Sequence, residues 1–163
     1  MLPLFTYAFC NLRTIPAQKM IFSRLVPRDI DDVVQLLTYD HFHGLDMPSF
    51  YTVSSLVNLY GDVCGSVRID DALVAVSLNC PYLKRDGIYV YAFAVSRDQQ
   101  RKGVGSFLFA SMVKMLQEMG YKKISLRVLI KNPEALQFWM KMGFICLPMQ
   151  LSDSVENFLE RDL

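Results

Sequence analysis

Gln100-Arg101-Lys102-Gly103-Val104-Gly105 is the stretch whose reading decides the fold. It follows Gly87–Val95, where Ile88, Val90, Ala92 and Ala94 fall on one face and Tyr89, Tyr91, Phe93 and Val95 on the other. Apolar residues on both faces predict a central strand covered on each side. The turn then opens a helix, expected through about Met119, with Val104, Leu108, Ser111, Met112, Met115 and Met119 as its core stripe. A helix N-terminus presents unpaired N–H groups and a partial positive charge. Glycines let the backbone bend closely around an anion. Strand, glycine turn and helix together make a pyrophosphate cradle, with Arg101 and Lys102 adding charge at its rim. A strand-to-helix turn that needs two glycines for geometry alone has the same spacing. The turn lacks the GxxxxGK[ST] of a P-loop, and it lacks the third glycine of the GxGxxG dinucleotide fingerprint.

Downstream, Ile124, Leu126, Val128 and Ile130 alternate with Ser125 and Arg127, which predicts a strand over 124–130. The helix between this strand and 87–95 makes a right-handed parallel crossover. Asn132 caps another helix with Pro133 at its first position, where the missing N–H costs nothing. Gly143 ends it, a strand resumes over Phe144–Leu151, and the tail Asn157–Leu163 pairs back as a last strand. Upstream, Ile21–Val26 reads as a strand ended by Pro27, and Asp29 as the cap of a helix over Ile30–Thr38 with Val33, Leu36 and Leu37 inward. A loop over Tyr39–Pro48 leads to a second helix, Ser49–Tyr60, stopped by Gly61. Two strands, Val63–Ile69 and Leu73–Cys80, flank an Asp70-Asp71 hairpin turn. The order is β-α-α-β-β-β-α-β-α-β-β, an α/β domain with a mixed sheet.

A chain of 163 residues suits one domain, and a 52% hydrophobic composition supplies its core. Seventeen basic and 16 acidic residues leave a formal charge of +1, so no basic field points to nucleic acid or a membrane surface. The expected partner is small or read by local contacts. Cys10, Cys64, Cys80 and Cys146 form no CxxC pair, and His41 and His43 are distant from all of them, so no metal site is expected. The cysteines read as reduced, mostly buried thiols, which suits a cytoplasmic protein. Leu2–Cys10 is apolar but shorter than the roughly 20 residues a bilayer span takes. No basic residue precedes it, as a secretory signal would want. Residues 1–19 are expected to be a dispensable extension to a single domain over 20–163.

Two stretches carry a family resemblance. Ala94 to Gly105 resembles the Q/R-x-x-G-x-G/A motif of the Gcn5-related N-acetyltransferases. Asn132-Pro133-Glu134-Ala135-Leu136-Gln137-Phe138-Trp139-Met140-Lys141-Met142-Gly143-Phe144 resembles their second signature, N-x-x-A-x-x-(L/F)-Y-x-x-x-G-F. The resemblance implies a mixed, mostly antiparallel sheet of about six or seven strands, flanked by about four helices, with splayed central parallel strands at 87–95 and 124–130. It implies acetyl-CoA as cosubstrate in the gap between them. The backbone of Phe93, Ala94 and Val95 would pair with the pantetheine arm and hold the thioester carbonyl, with Ala92 and Ala94 small enough for close approach. Gln100 and the backbone of Arg101, Lys102, Gly103, Val104, Gly105 and Ser106 would bind the pyrophosphate. Asn132 would touch the cosubstrate as well as cap its helix. The reaction implied is direct acetyl transfer to a primary amine of a small molecule or peptide, and dimers are common in proteins of this type.

An ammonium with a pKa of about 10 is not a nucleophile, so a base must take its proton. The family often places a Glu on its fourth strand, but none lies between Gly87 and Ser96. Asp40, His41, His43 and Asp46 form an acid–imidazole cluster where the family builds its acceptor wall, although a merely solvated loop reads the same way. Trp139 stands at the family's tyrosine position. An indole N–H donates a hydrogen bond but is no proton donor at neutral pH. Trp139 therefore solvates the sulfur, packs on the pantetheine, or packs in the core with Ala135, Phe138 and Met142. Tyr91 or Tyr89 would then be the acid that protonates the thiolate. Two other readings stay open: a catalytically weak acyl-CoA-binding regulatory domain, and a nucleotide-binding α/β protein that shares the turn.

Overall fold

The computed structural model describes residues 19–40, 48–82, 86–147 and 156–163. The stretch holding His41, His43 and Asp46 lies outside the described residues, as does the expected extension apart from Lys19. The elements run β1 (Met20–Arg24), α1 (Ile30–Asp40), α2 (Phe50–Tyr60), β2 (Gly65–Ile69), β3 (Ala72–Tyr82), β4 (Gly87–Val95), α3 (Val104–Glu118), β5 (Lys123–Leu129), α4 (Pro133–Lys141), β6 (Ile145–Leu147) and β7 (Glu156–Asp162). Single 3₁₀ turns at Pro27–Asp29 and Arg97–Gln99 precede α1 and α3. The order matches the sequence reading. Among the described residues one sheet of seven strands runs β1-β2-β3-β4-β5-β7-β6, and β4–β5 is its parallel pair.

Local chemistry explains the element ends. Ser49 Oγ accepts the Thr52 N–H at 3.2 Å and starts α2. Asn132 Oδ1 accepts the Ala135 N–H at 3.0 Å and starts α4 behind Pro133. Asp70 and Asp71 take φ of 49° and 65°, the positive pair that a tight two-residue hairpin needs. Asp29 does not cap α1 as expected. It ends the 3₁₀ turn that leads into α1, and its carboxylate reaches back to the Val26 N–H at 3.0 Å. It also pairs with Arg68 at 2.9 Å. Arg68 bonds Asp32 at 2.8 Å and donates to the Asp71 carbonyl at 2.7 Å, which ties α1 to the β2–β3 hairpin.

Each face of the sheet has its own core. Val33, Leu36 and Leu37 of α1 and Val53 and Val57 of α2 pack with Val76, Leu78, Ala92 and Ala94. Phe109, Met112, Met115 and Leu116 of α3 pack with Ile88, Val90, Ile124, Leu126 and Leu159 on the opposite side. The α3 stripe therefore runs through Phe109 and Leu116. Met119 lies beyond the helix end and is 36% exposed.

The expectation of one shared face for Ile88, Val90, Ala92 and Ala94 is also overturned. Leu78 pairs with Ala92 and Asn79 with Val90, so Tyr91 is an extra residue in β4. A bulge of one residue shifts every later side chain to the other face, which a strict period of two cannot register. Ile88 and Val90 accordingly meet α3, while Ala92 and Ala94 meet α1 and α2. Cys64 is buried and Cys80 half-buried, but Cys146 is exposed on β6, contrary to the expectation of mostly buried thiols. Among the described residues no helix is long and apolar enough to cross a membrane.

Candidate active site

β4 and β5 pair from Gly87–Val90 against Lys123–Leu126 and no further. The pairing stops at the Tyr91 bulge. Beyond it β4 stays bonded to β3, with Ala75 opposite Val95, and β5 stays bonded to β7, with Leu129 opposite Glu156. Held from their outer edges, the two strands part. Among the described residues the β5-facing edge of Ala92–Val95 has no strand partner, and buried backbone N–H and C=O groups require a hydrogen-bond partner. An extended, amide-bearing ligand fits that edge.

The glycine turn lies at the same end of β4. Gly103 has φ of 86° and is the N-cap of α3, with no side-chain cap. The first helical bond runs from the Phe107 N–H to the Gly103 carbonyl at 2.9 Å, so the N–H groups of Val104, Gly105 and Ser106 lie ahead of it. A Cβ on Gly103 would meet nothing within 4 Å, so the left-handed backbone faces open space where an anion fits. Gly105 is small for the opposite reason. Its Cβ would lie 3.4 Å from Val95 Cγ2 and 3.5 Å from Phe138 Cε2, which brings α3 close to β4 and α4. Gln100 Nε2 donates to the Val95 carbonyl at 3.1 Å and fastens the turn to the strand. Ala92 and Ala94 owe their small size to packing under α1 and α2 rather than to the gap.

The candidate catalytic residues separate. Trp139 is 5% exposed and sits in an aromatic cluster, 4.9 Å from Phe93, 5.0 Å from Phe138, 5.2 Å from Phe144 and 5.7 Å from Phe109, ring centre to ring centre. All four contacts are edge-to-face. Tyr91 is 45% exposed at the bulge itself. Tyr89 is half-buried, and burial pushes its phenol up while Arg127 pulls the other way. It therefore keeps its proton at neutral pH. Asp40 is the last residue of α1. Sequence reasoning passed over Arg127 and Glu156, whose side chains approach to 3.5 Å across β5 and β7 near Tyr89. The available signal was Arg127 as the one charge inside an alternating strand. A hollow of about 470 Å³ lies between α1 and the β2–β3 hairpin, lined by Asp32, Arg68 and Asp71 and reaching Ser96 and Asp98 just past the end of β4.

Parted parallel strands beside an uncapped glycine turn define an α/β protein that holds an acyl-CoA thioester. The chain belongs to the acetyltransferase (GNAT) family, whose sequence profile matches residues 21–144. The uncharacterized N-acetyltransferase ycf52 of Gracilaria tenuistipitata var. liui is 27% identical, over 77% of this chain and 83% of the relative. Ard1 from Thermoplasma volcanium superposes with a TM-score of 0.76 at 21% identity, covering 88% of this chain and 97% of its own. The PaiA N-acetyltransferase from Thermoplasma acidophilum, solved in complex with coenzyme A, gives 0.77 at 12% identity, over 89% and 99%. The protein is thus an acyltransferase that moves an acetyl group from its cosubstrate acetyl-CoA to an amine.

Proposed function

We propose that the acceptor is a primary amine of a small molecule or peptide and that transfer is direct, without an acyl-enzyme. The observation that carries this reading is the unpaired β4 edge beyond Tyr91, set beside the open turn at Gly103. Two of the cysteines are poor acyl carriers, in keeping with direct transfer. Burial pushes the Cys64 thiol up to about 12, and a thiol that stays protonated is no nucleophile. Burial raises Cys80 as well.

The residues then divide the work. The backbone of Phe93, Ala94 and Val95 holds the pantetheine arm and aims an N–H at the thioester carbonyl, where it stabilises the developing oxyanion. The N–H groups from Arg101 to Ser106 take the pyrophosphate, with Gln100 bracing the turn and Asn132 reaching the cosubstrate from the start of α4. Asp40, His41 or His43 removes the proton from the ammonium. The amine nitrogen attacks the carbonyl carbon, the C–S bond breaks, the thiolate takes a proton from Tyr91, and the second proton shed by the nitrogen restores the phenol through water. A thiol pKa of about 8.5 makes that thiolate a tolerable leaving group. Trp139 stiffens the wall behind Phe93 and transfers no proton. Residues 20–163 form the catalytic unit of a cytoplasmic, homodimeric enzyme for which residues 1–19 are dispensable. The net charge of +1 supports an enzyme that engages neither nucleic acid nor membrane.

Calorimetric titration with acetyl-CoA, wild type beside Gly103→Glu, tests the site. Micromolar binding by the wild type, lost when a carboxylate is placed over the turn, is the expected result. No binding by the wild type would remove the cosubstrate from this gap. Binding without thiol release across a panel of amines would instead favour the regulatory acyl-CoA-binding reading.

A further inference from the structure

We propose that Asn79, clamped by Cys64 and Ser77, is the positioning residue that fixes the β4 bulge and thereby the parting of β4 from β5. The proposal rests on the acetyl-CoA reading of that gap. β3 runs beside β2 only as far as Ser77, which pairs with Gly65. Asn79 lies past that end, so its backbone has no strand on the β2 side. Cys64 supplies both missing bonds. The Asn79 N–H donates to Cys64 Sγ at 3.2 Å, and the thiol donates to the Asn79 carbonyl at 3.4 Å. A side chain takes the place of a strand.

The amide side chain is fixed as well. Nδ2 donates to the Val63 carbonyl at 2.7 Å and to Met112 Sδ at 3.1 Å, while Oδ1 accepts from Ser77 Oγ at 2.8 Å. Cys64, Ser77 and Asn79 are all fully buried. On its other edge this clamped residue pairs with Val90, while Leu78 pairs with Ala92, so Asn79 stands directly opposite the bulge.

A buried amide gains little net stability over an apolar residue of similar size. Its distinctive effect is on register. If β3 slipped by one residue, Asn79 and Ser77 would move together, but Asn79 would leave Val63 and Met112 and strand the Val63 carbonyl, so one alignment is held against its neighbours. That alignment is the one that makes Tyr91 supernumerary and ends the β4–β5 pairing at Val90.

The test uses the full chain as Asn79→Leu, Cys64→Val and Cys64→Ser. Acetyl-CoA affinity is measured by calorimetry well below each melting transition, and amide hydrogen exchange is followed across β4. Asn79→Leu and Cys64→Val are expected to melt cooperatively, yet to bind acetyl-CoA about tenfold or more weakly, as misplacement of a binding edge does. Their exchange should rise at Tyr91–Val95 more than at Gly87–Val90. Cys64→Ser keeps a donor and an acceptor and should stay close to wild type in both readouts. A role in packing alone predicts the reverse order, because valine fills the space of the thiol and serine does not. Wild-type affinity and exchange in Asn79→Leu would overturn the proposal, and if that variant fails to fold the Cys64 pair decides. Should the wild type bind no acetyl-CoA, the cosubstrate reading alone falls, and exchange across β4 still judges the clamp.

Discussion

Trp139 occupies the position where a proton donor is expected, yet its surroundings are those of a core residue, and truncation distinguishes the two. In Trp139→Ala the side chain removed is 5% exposed and touches Phe93, Phe109, Phe138 and Phe144 edge-to-face. Emptying such a site costs about 3–5 kcal/mol, to which each aromatic pair contributes about 0.5–1.5 kcal/mol beyond its buried area. A domain of this size loses about 2–4 °C of Tm per kcal/mol, so the melt should fall by roughly 6–20 °C. Trp139→Phe keeps a ring against Phe93 and removes the indole N–H, at a cost of roughly 1–2 kcal/mol. Circular dichroism gives both Tm values, and thiol release at a temperature where every variant is folded gives the activity. If the indole only packs, Trp139→Phe turns over nearly as fast as wild type. Two results would refute the reasoning. One is a Tm drop in Trp139→Ala of less than about 3 °C. The other is a folded Trp139→Phe slowed by about 10²–10⁴-fold, the range expected when a group assisting proton transfer is lost.

Arg161 should matter to stability and little to binding. Its Nη1 donates to the Met142 carbonyl at 2.6 Å at the end of α4, and its guanidinium lies 5.3 Å from the Phe109 ring centre. Arg161→Met is expected to cost about 1–3 kcal/mol, read as a lower Tm with acetyl-CoA affinity retained; an unchanged melt would show the cap to be idle. Cys64 makes a pH prediction. Its folded pKa is raised to about 12 from an ordinary value near 9, so its contribution is fully present below pH 9 and is lost as pH climbs towards 12. Stability should therefore fall across that window, and fall less steeply in Cys64→Ser. In an alkylation time course near neutral pH, the exposed Cys146 should be modified before the buried Cys64, and the opposite order would contradict the assigned burial.

What was legible in the sequence was what local physics dictates. The Gly103 turn, the Asn132–Pro133 helix start and the Asp70-Asp71 hairpin each follow from the preferences of a few adjacent residues, and β4 has the ends its sequence predicts, Gly87 and Val95. The Arg127–Glu156 contact was out of reach because it depends on β7 returning to β5. Trp139 could be aligned to a motif, but only packing shows that four aromatic rings surround it. The Tyr91 bulge shows most clearly why the rest stayed hidden. It is held by residues 15 apart in the chain, Cys64 and Asn79, so no window along β4 contains its cause. A trace was nonetheless present in side-chain size. Along one parity of β4, Ile88 and Val90 give way to Ala92 and Ala94, while Tyr89 and Tyr91 give way to Phe93. An unbroken strand would face the alanines to α3 and Phe93 to the α1–α2 side, reversing which core receives the larger residues. With one extra residue, Phe93 reaches Trp139 and the alanines lie beneath α1 and α2. The irregularity that opens the strand edge for a ligand is thus the same one that lets both cores close.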